Sequence, residues 1–189
     1  LHAPPLGLLY LVSALRKYFG NAVHIDLVDM KAHYLDAEWL VSRLDEYRPD
    51  IVGVSAMNYE AAQSHRIAEI AKQWNPSVLT MLGGAYALHQ SKEIFQRSCY
   101  DWIIEGPAER TLLFALERYL QGESLGEDLP GLSYRKVDGQ LVISKQIDVV
   151  KDIDSLPLPA WDMVDFDLYA STPWDLFMKP RRYATIFTS

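Results

Sequence analysis

Short apolar runs alternate with amphipathic stretches of helical period through residue 121, and this alternation is the feature that most restricts the fold. Leu8, Leu11, Val12, Leu15 and Phe19 recur at helical spacing, and Gly20 follows as a stop signal. Residues 23–29 partly alternate and suit a strand exposed on one side. Asp36 suits an N-cap for a helix carrying Leu40, Val41, Leu44 and Tyr47, which ends before Pro49. Residues 50–55 are nearly all apolar and rich in β-branched side chains, the pattern of a buried strand. A helix is predicted over 60–74, a second buried strand over 78–82, a short helix over 91–97 and a strand over 102–104. Leu112, Leu113, Leu116 and Leu120 mark one more helix. Strands that alternate with helices form right-handed crossover units and a parallel sheet, so the expected class is α/β with a doubly wound parallel sheet.

The rhythm then changes. Residues 131–134 and 141–143 flank Asp138-Gly139, which predicts a β-hairpin. Residues 152–169 combine prolines, acids and scattered apolar side chains, as a linker that packs against a neighbour would. Residues 184–188 suit a further strand.

In open parallel sheets ligands bind at the carboxyl ends of the strands. That rule singles out Pro5, Leu6 and Gly7 ahead of the first helix, then Ser55-Ala56-Met57, Gly83-Gly84-Ala85 and Glu105-Gly106. Glycines let backbone approach a ligand, Ser55 supplies a hydroxyl, and amides at helix starts can take an anionic group. Each feature also has a plain structural use. Gly83-Gly84 suits a tight turn, Ser55 a helix cap, and Gly53 close helix packing. No nucleophile–base pair or poised carboxylate pair occurs in these loops, so no catalytic residue is assigned: the cleft is expected to bind, not to react. No two of the five histidines are spaced as metal ligands, and no metal site is assigned.

Composition narrows the partners. With 18 Lys and Arg against 25 Asp and Glu, the chain carries a formal charge of −7 and no long basic stripe, so a nucleic-acid partner is not expected. Its single cysteine, Cys99, can form no internal disulfide and cannot by itself hold an iron–sulfur cluster. No apolar run is long enough to span a membrane, no signal peptide is evident, and a cytoplasmic location is expected.

Pro4-Pro5-Leu6-Gly7-Leu8, Pro49-Asp50-Ile51-Val52-Gly53-Val54-Ser55-Ala56 and Leu82-Gly83-Gly84 resemble the cobalamin (vitamin B12)-binding domain of radical S-adenosylmethionine (SAM) enzymes. Gly131-Leu132-Ser133-Tyr134-Arg135 resembles the hairpin after that domain. Residues 153–159 resemble its connecting segment, and 184–189 the first strand of the SAM barrel. The resemblance implies a flavodoxin-like or Rossmann-like domain over 1–125, a hairpin extension over 126–150, and over 151–189 a linker and the first strand of a barrel. It implies cobalamin as the bound cofactor, its nucleotide tail lined by Ser55, Ala56 and Met57 with Gly83, Gly84 and Ala85 beside it and Gly106 at the border. In the parent protein it implies a [4Fe-4S] cluster and SAM, held beyond Ser189, and methyl transfer or oxidative cyclisation, with magnesium-protoporphyrin ester cyclases as near relatives.

Departures from the family pattern carry their own expectations. The cobalt-ligating Asp-x-His-x-x-Gly motif is not found, so no lower histidine ligand is expected. The usual Gly-Glu-Gly-Glu stands as Gly106-Pro107-Ala108-Glu109, and the family's first strand should precede Pro4. The competing reading is an α/β domain that has lost the cofactor and serves as a platform for a substrate or partner. A receiver domain would need an aspartate where Ser55 stands, and a dinucleotide-binding domain would need Gly-x-Gly-x-x-Gly after its first strand.

Overall fold

Asp36 accepts a hydrogen bond from the Trp39 amide at 2.9 Å and so caps the helix that follows, as its place before an apolar-periodic stretch predicts. A computed structural model describes residues 3–126 and 129–169 of the chain. They fall into two units, one made by the segments up to residue 35 and from residue 152, the other by residues 36–151.

The larger unit is built on a five-stranded sheet. Its elements are α2 (Ala37–Tyr47), β1 (Ile51–Ser55), α3 (Ala61–Trp74), β2 (Leu79–Gly83), α4 (Ser91–Arg97), β3 (Trp102–Ile104), α5 (Glu109–Leu120), β4 (Leu132–Arg135) and β5 (Leu141–Val142). The helices α1 (Leu6–Phe19) and α2 precede the sheet in the chain, α1 belonging to the other unit. Strands β1, β2 and β3 are parallel, with Ser55 opposite Gly83 and Leu82 opposite Ile103. The core gathers where their apolar side chains meet the helices: Ala68, Leu82, Ile94, Phe95, Tyr100 and Ile103 are all buried.

Several expectations need correction. The sheet is mixed, not wholly parallel, because the hairpin does not stand apart: β4 pairs antiparallel with β3, and β5 with β4. The strand order is β1-β2-β3-β4-β5, so the described sheet contains no reversal of strand order. Residues 23–29 form no strand; Val23 is extended, but no strand among the described residues pairs with that segment. The apolar β1 is not buried on both faces. Among the described residues it pairs with β2 alone, and its residues are half-buried or exposed. Gly53 makes room for a strand neighbour, not a helix, since a Cβ there would lie 2.7 Å from Met81 Cε. The expected strand over 184–188 lies outside the described residues, and the described residues form no barrel.

At the amino ends of the strands a polar knot fastens α3 to the sheet. Lys72 Nζ lies 2.6 Å from Asp101 Oδ2 and donates to the Val78 carbonyl at 2.7 Å. The same carboxylate oxygen accepts from the Thr80 amide at 2.8 Å and the Thr80 hydroxyl at 3.1 Å. Both charged side chains are mostly withdrawn from water, so each relies on the other and on these hydrogen bonds.

In the smaller unit the proline-rich segment packs on α1, as its composition suggests. The Ala160 amide donates to the Leu9 carbonyl at 3.1 Å, and Lys17 Nζ donates to the Ser155 carbonyl at 3.1 Å. Arg16 meets Asp162 at 2.8 Å, and this hydrogen bond holds the Asp162 carboxyl below its ordinary range. Tyr169 donates to Asp29 Oδ2 at 2.9 Å.

Candidate functional site

Parallel strands share one carboxyl edge, and in the larger unit that edge is where Ser55, Gly83 and Glu105 leave β1, β2 and β3. The turns after β1 and β2 are fused there. The Ala56 amide donates to the Gly83 carbonyl at 3.2 Å, and the Tyr86 amide to the Ala56 carbonyl at 3.0 Å. Gly84 is the point of closest approach. Its φ of +85° belongs to the region that favours glycine, and a Cβ there would lie 2.7 Å from Ala56 O, 2.8 Å from Ala56 N and 2.9 Å from Ser55 Oγ. Of the sequence candidates, Ser55, Ala56, Gly83 and Gly84 are thus brought into direct contact, and Ala85 continues the same turn.

This fused ledge presents mixed chemistry. Ser55 is exposed, and its hydroxyl has no hydrogen-bond partner among the described residues. Beside it the turns expose apolar surface at Met57, Tyr59 and Leu88. Met57 opens a short 3-10 turn that is closed by Glu60, whose carboxylate accepts the Met57 amide at 2.9 Å. Glu109, on the first turn of α5 after β3, has a buried Oε2 without a hydrogen-bond partner among the described residues. A buried acceptor in that condition calls for a donor from elsewhere. The ledge itself combines a free hydroxyl at Ser55 with exposed apolar surface at Met57 and Leu88.

The remaining candidates sit differently. Glu105 is 7% exposed, and its carboxylate faces α4: it accepts the His89 amide at 2.9 Å and the Ser91 hydroxyl. It therefore holds the start of α4 in place. Gly106, at φ +83°, is covered by Ile147, whose Cγ2 would collide with a Cβ there. Pro5, Leu6 and Gly7 belong to the other unit, where Pro5 precedes α1, Leu6 is buried and Gly7 is exposed.

Two residues that carry no local sequence signal meet behind the ledge. Tyr86 Oη lies 3.1 Å from His65 Nε2, a hydrogen bond between the turn after β2 and helix α3. Tyr100, fully buried, packs its ring edge-on to His65 and donates its hydroxyl to the Ser64 carbonyl at 2.6 Å. Burial lowers the His65 pKa and raises that of Tyr100, so both rings are neutral at neutral pH. Among the described residues no cluster of His, Cys, Asp or Glu could hold a metal ion, and no helix is long and apolar enough to cross a membrane.

A family model described as the B12 binding domain matches residues 1–114. Among curated proteins, an uncharacterized methyltransferase from Pyrococcus horikoshii is 27% identical over 94% of this chain and 38% of its own length. The anaerobic magnesium-protoporphyrin IX monomethyl ester cyclase of Rubrivivax gelatinosus is 25% identical over 90% of this chain and 31% of its own. The chain therefore spans less than two fifths of these relatives. Among solved structures, the cobalamin-dependent SAM radical enzyme OxsB with aqua-cobalamin and SAM bound superposes with a TM-score of 0.71 at 21% identity, over 86% of this chain and 22% of that one. The radical SAM methyltransferase TsrM from Kitasatospora setae, with cobalamin and a [4Fe-4S] cluster, gives 0.64 at 17% identity, over 84% and 29%. These two likenesses are of fold.

Proposed function

The chain belongs to the B12-binding domain family, and from that premise we propose that it holds cobalamin at the carboxyl edge of its sheet on behalf of a radical SAM enzyme. The observation that carries this reading is the fused ledge of Ser55, Ala56 and Gly84, with an unpartnered hydroxyl at its lip. Ser55, Ala56 and Met57 would meet the nucleotide tail, with Gly83, Gly84 and Ala85 forming the adjoining wall. Glu105 and Gly106 would frame the cleft through the elements they hold in place. Bound cobalamin supplies a cobalt centre able to carry an alkyl group. The chain's own residues bind and orient; none is assigned a proton or a nucleophile. In the parent protein the reaction is methyl transfer or oxidative cyclisation, with a [4Fe-4S] cluster and SAM held by barrel residues beyond Ser189.

The test is retention of a corrinoid. The intact protein reconstituted with hydroxocobalamin keeps the corrinoid absorbance band through gel filtration. Ser55→Trp, which places a bulky ring at an exposed position of the ledge, abolishes retention while the circular dichroism spectrum is unchanged. A wild-type protein that emerges colourless overturns the reading in favour of a domain that has lost the cofactor. A Ser55→Trp protein that retains the band overturns the site.

A further inference from the structure

We propose that Tyr86 and His65 are positioning residues for this cleft: their hydrogen bond latches the turn after β2 to helix α3 and so fixes the Gly84 wall before any ligand arrives. The inference rests on the function proposed above and assigns a role to two side chains that function does not require.

The need for a latch follows from the glycines. Gly83 and Gly84 give this turn more accessible backbone conformations than any other pair of residues would, so holding one shape costs more entropy here than in an ordinary turn. Backbone bonds supply part of the restraint, from Ala56 N to Gly83 O, from Tyr86 N to Ala56 O, and from Ala87 N to Gly84 O at 3.1 Å. The first two join the turn only to the loop after β1, which is itself partly exposed. The Tyr86–His65 bond ties it instead to a helix that packs on β1 and β2. His65 is in turn seated by Tyr100, whose ring meets it edge-on at 6.3 Å between centroids and whose hydroxyl is bound to the adjacent Ser64 carbonyl. The chain of contacts therefore runs from the buried core through α3 to the turn. A wall set in advance spares a ligand the ordering of that wall, and the gain appears as affinity.

A merely structural role for the pair would show as lost stability without a coupled loss of binding. The test is a double-mutant cycle on the intact protein, read by hydroxocobalamin titration and by hydrogen–deuterium exchange of the segment 84–88 in the ligand-free protein. Tyr86→Phe and His65→Leu each weaken binding about three- to tenfold, the range expected for one neutral hydrogen bond. The double variant is no weaker than the worse single one, because both remove the same bond. His65→Gln, which offers a polar group near the Nε2 position, restores binding to within about twofold. Exchange in 84–88 quickens in Tyr86→Phe and returns towards wild type in none of the variants lacking the bond. Additive losses in the double variant, or no rescue by glutamine, overturn the latch, as does wild-type exchange in Tyr86→Phe. If the wild-type protein takes up no corrinoid, the proposed function fails on its own account, and the exchange rates still decide whether the latch exists.

Discussion

Replacing Gly84 by alanine adds a single methyl group at the place where the structure has least room for one. The backbone there has φ +85° and ψ −176°, a region in which a side chain costs about 1–3 kcal/mol. The added Cβ would also stand 2.7 Å and 2.8 Å from the backbone O and N of Ala56. Those atoms cannot swing aside as a side-chain tip can. Ala56 must move, and its movement strains the bonds to Gly83 and Tyr86, each worth about 0.5–1.5 kcal/mol. The expected destabilisation is about 2–5 kcal/mol, a large share of the 5–15 kcal/mol typical of a domain. Gly83→Ala is the matched control, because its Cβ meets nothing nearer than Ile104 O at 4.0 Å and its expected cost is below about 1 kcal/mol. Urea denaturation followed by tryptophan fluorescence gives both values. Gly84→Ala should also bind hydroxocobalamin more weakly than Gly83→Ala, since Ser55 Oγ lies 2.9 Å from the new methyl group. Equal urea midpoints for the two variants would refute the reasoning.

Other expectations follow from the polar contacts. Asp101→Ala leaves Lys72 without its counter-charge and the Thr80 amide without its acceptor, and should lower stability by about 1–3 kcal/mol in the same urea assay. His65 is held below its ordinary pKa of about 6.5, chiefly by burial, with Glu69 opposing and Arg97 reinforcing the shift. The unfolded chain therefore binds the proton more readily than the folded one. Its contribution is present in full above pH 6.5 and is lost as the pH falls through the lower folded value. His65→Gln should flatten that part of the stability–pH curve, measured as urea midpoints between pH 7.5 and 5.

What the sequence discloses depends on whether the deciding contacts are local. The helices α2 to α5 and the strands β2 and β3 follow from side-chain period and caps such as Asp36, which act over a few residues. The carboxyl-edge loops follow from strand direction, which the alternation dictates. By contrast, residues 23–29 have the composition of a strand, but a strand exists only with a partner, and composition is silent about partners. The same gap explains β1, whose apolar run predicts burial on both faces although among the described residues it pairs on one side only. The hairpin over 131–143 is legible from Asp138-Gly139, yet its addition to β3 rests on pairings such as Trp102 with Tyr134, far apart in sequence. Glu105 illustrates the limit within the site. Its place after a strand end marks it for a ligand, while its carboxylate is engaged by His89 and Ser91. Tyr86 and His65 have no motif at all; only the fold brings a phenol and an imidazole 21 residues apart to hydrogen-bonding distance.

The spatial order of the sheet, β1 to β5, is also its order along the chain. Each described strand therefore finds its described neighbour in the segment just made. Closing short loops in succession loses less entropy at each step than one long closure would. Assembly can follow emergence from the ribosome, strand upon strand, with the hairpin added last to seal the β3 edge.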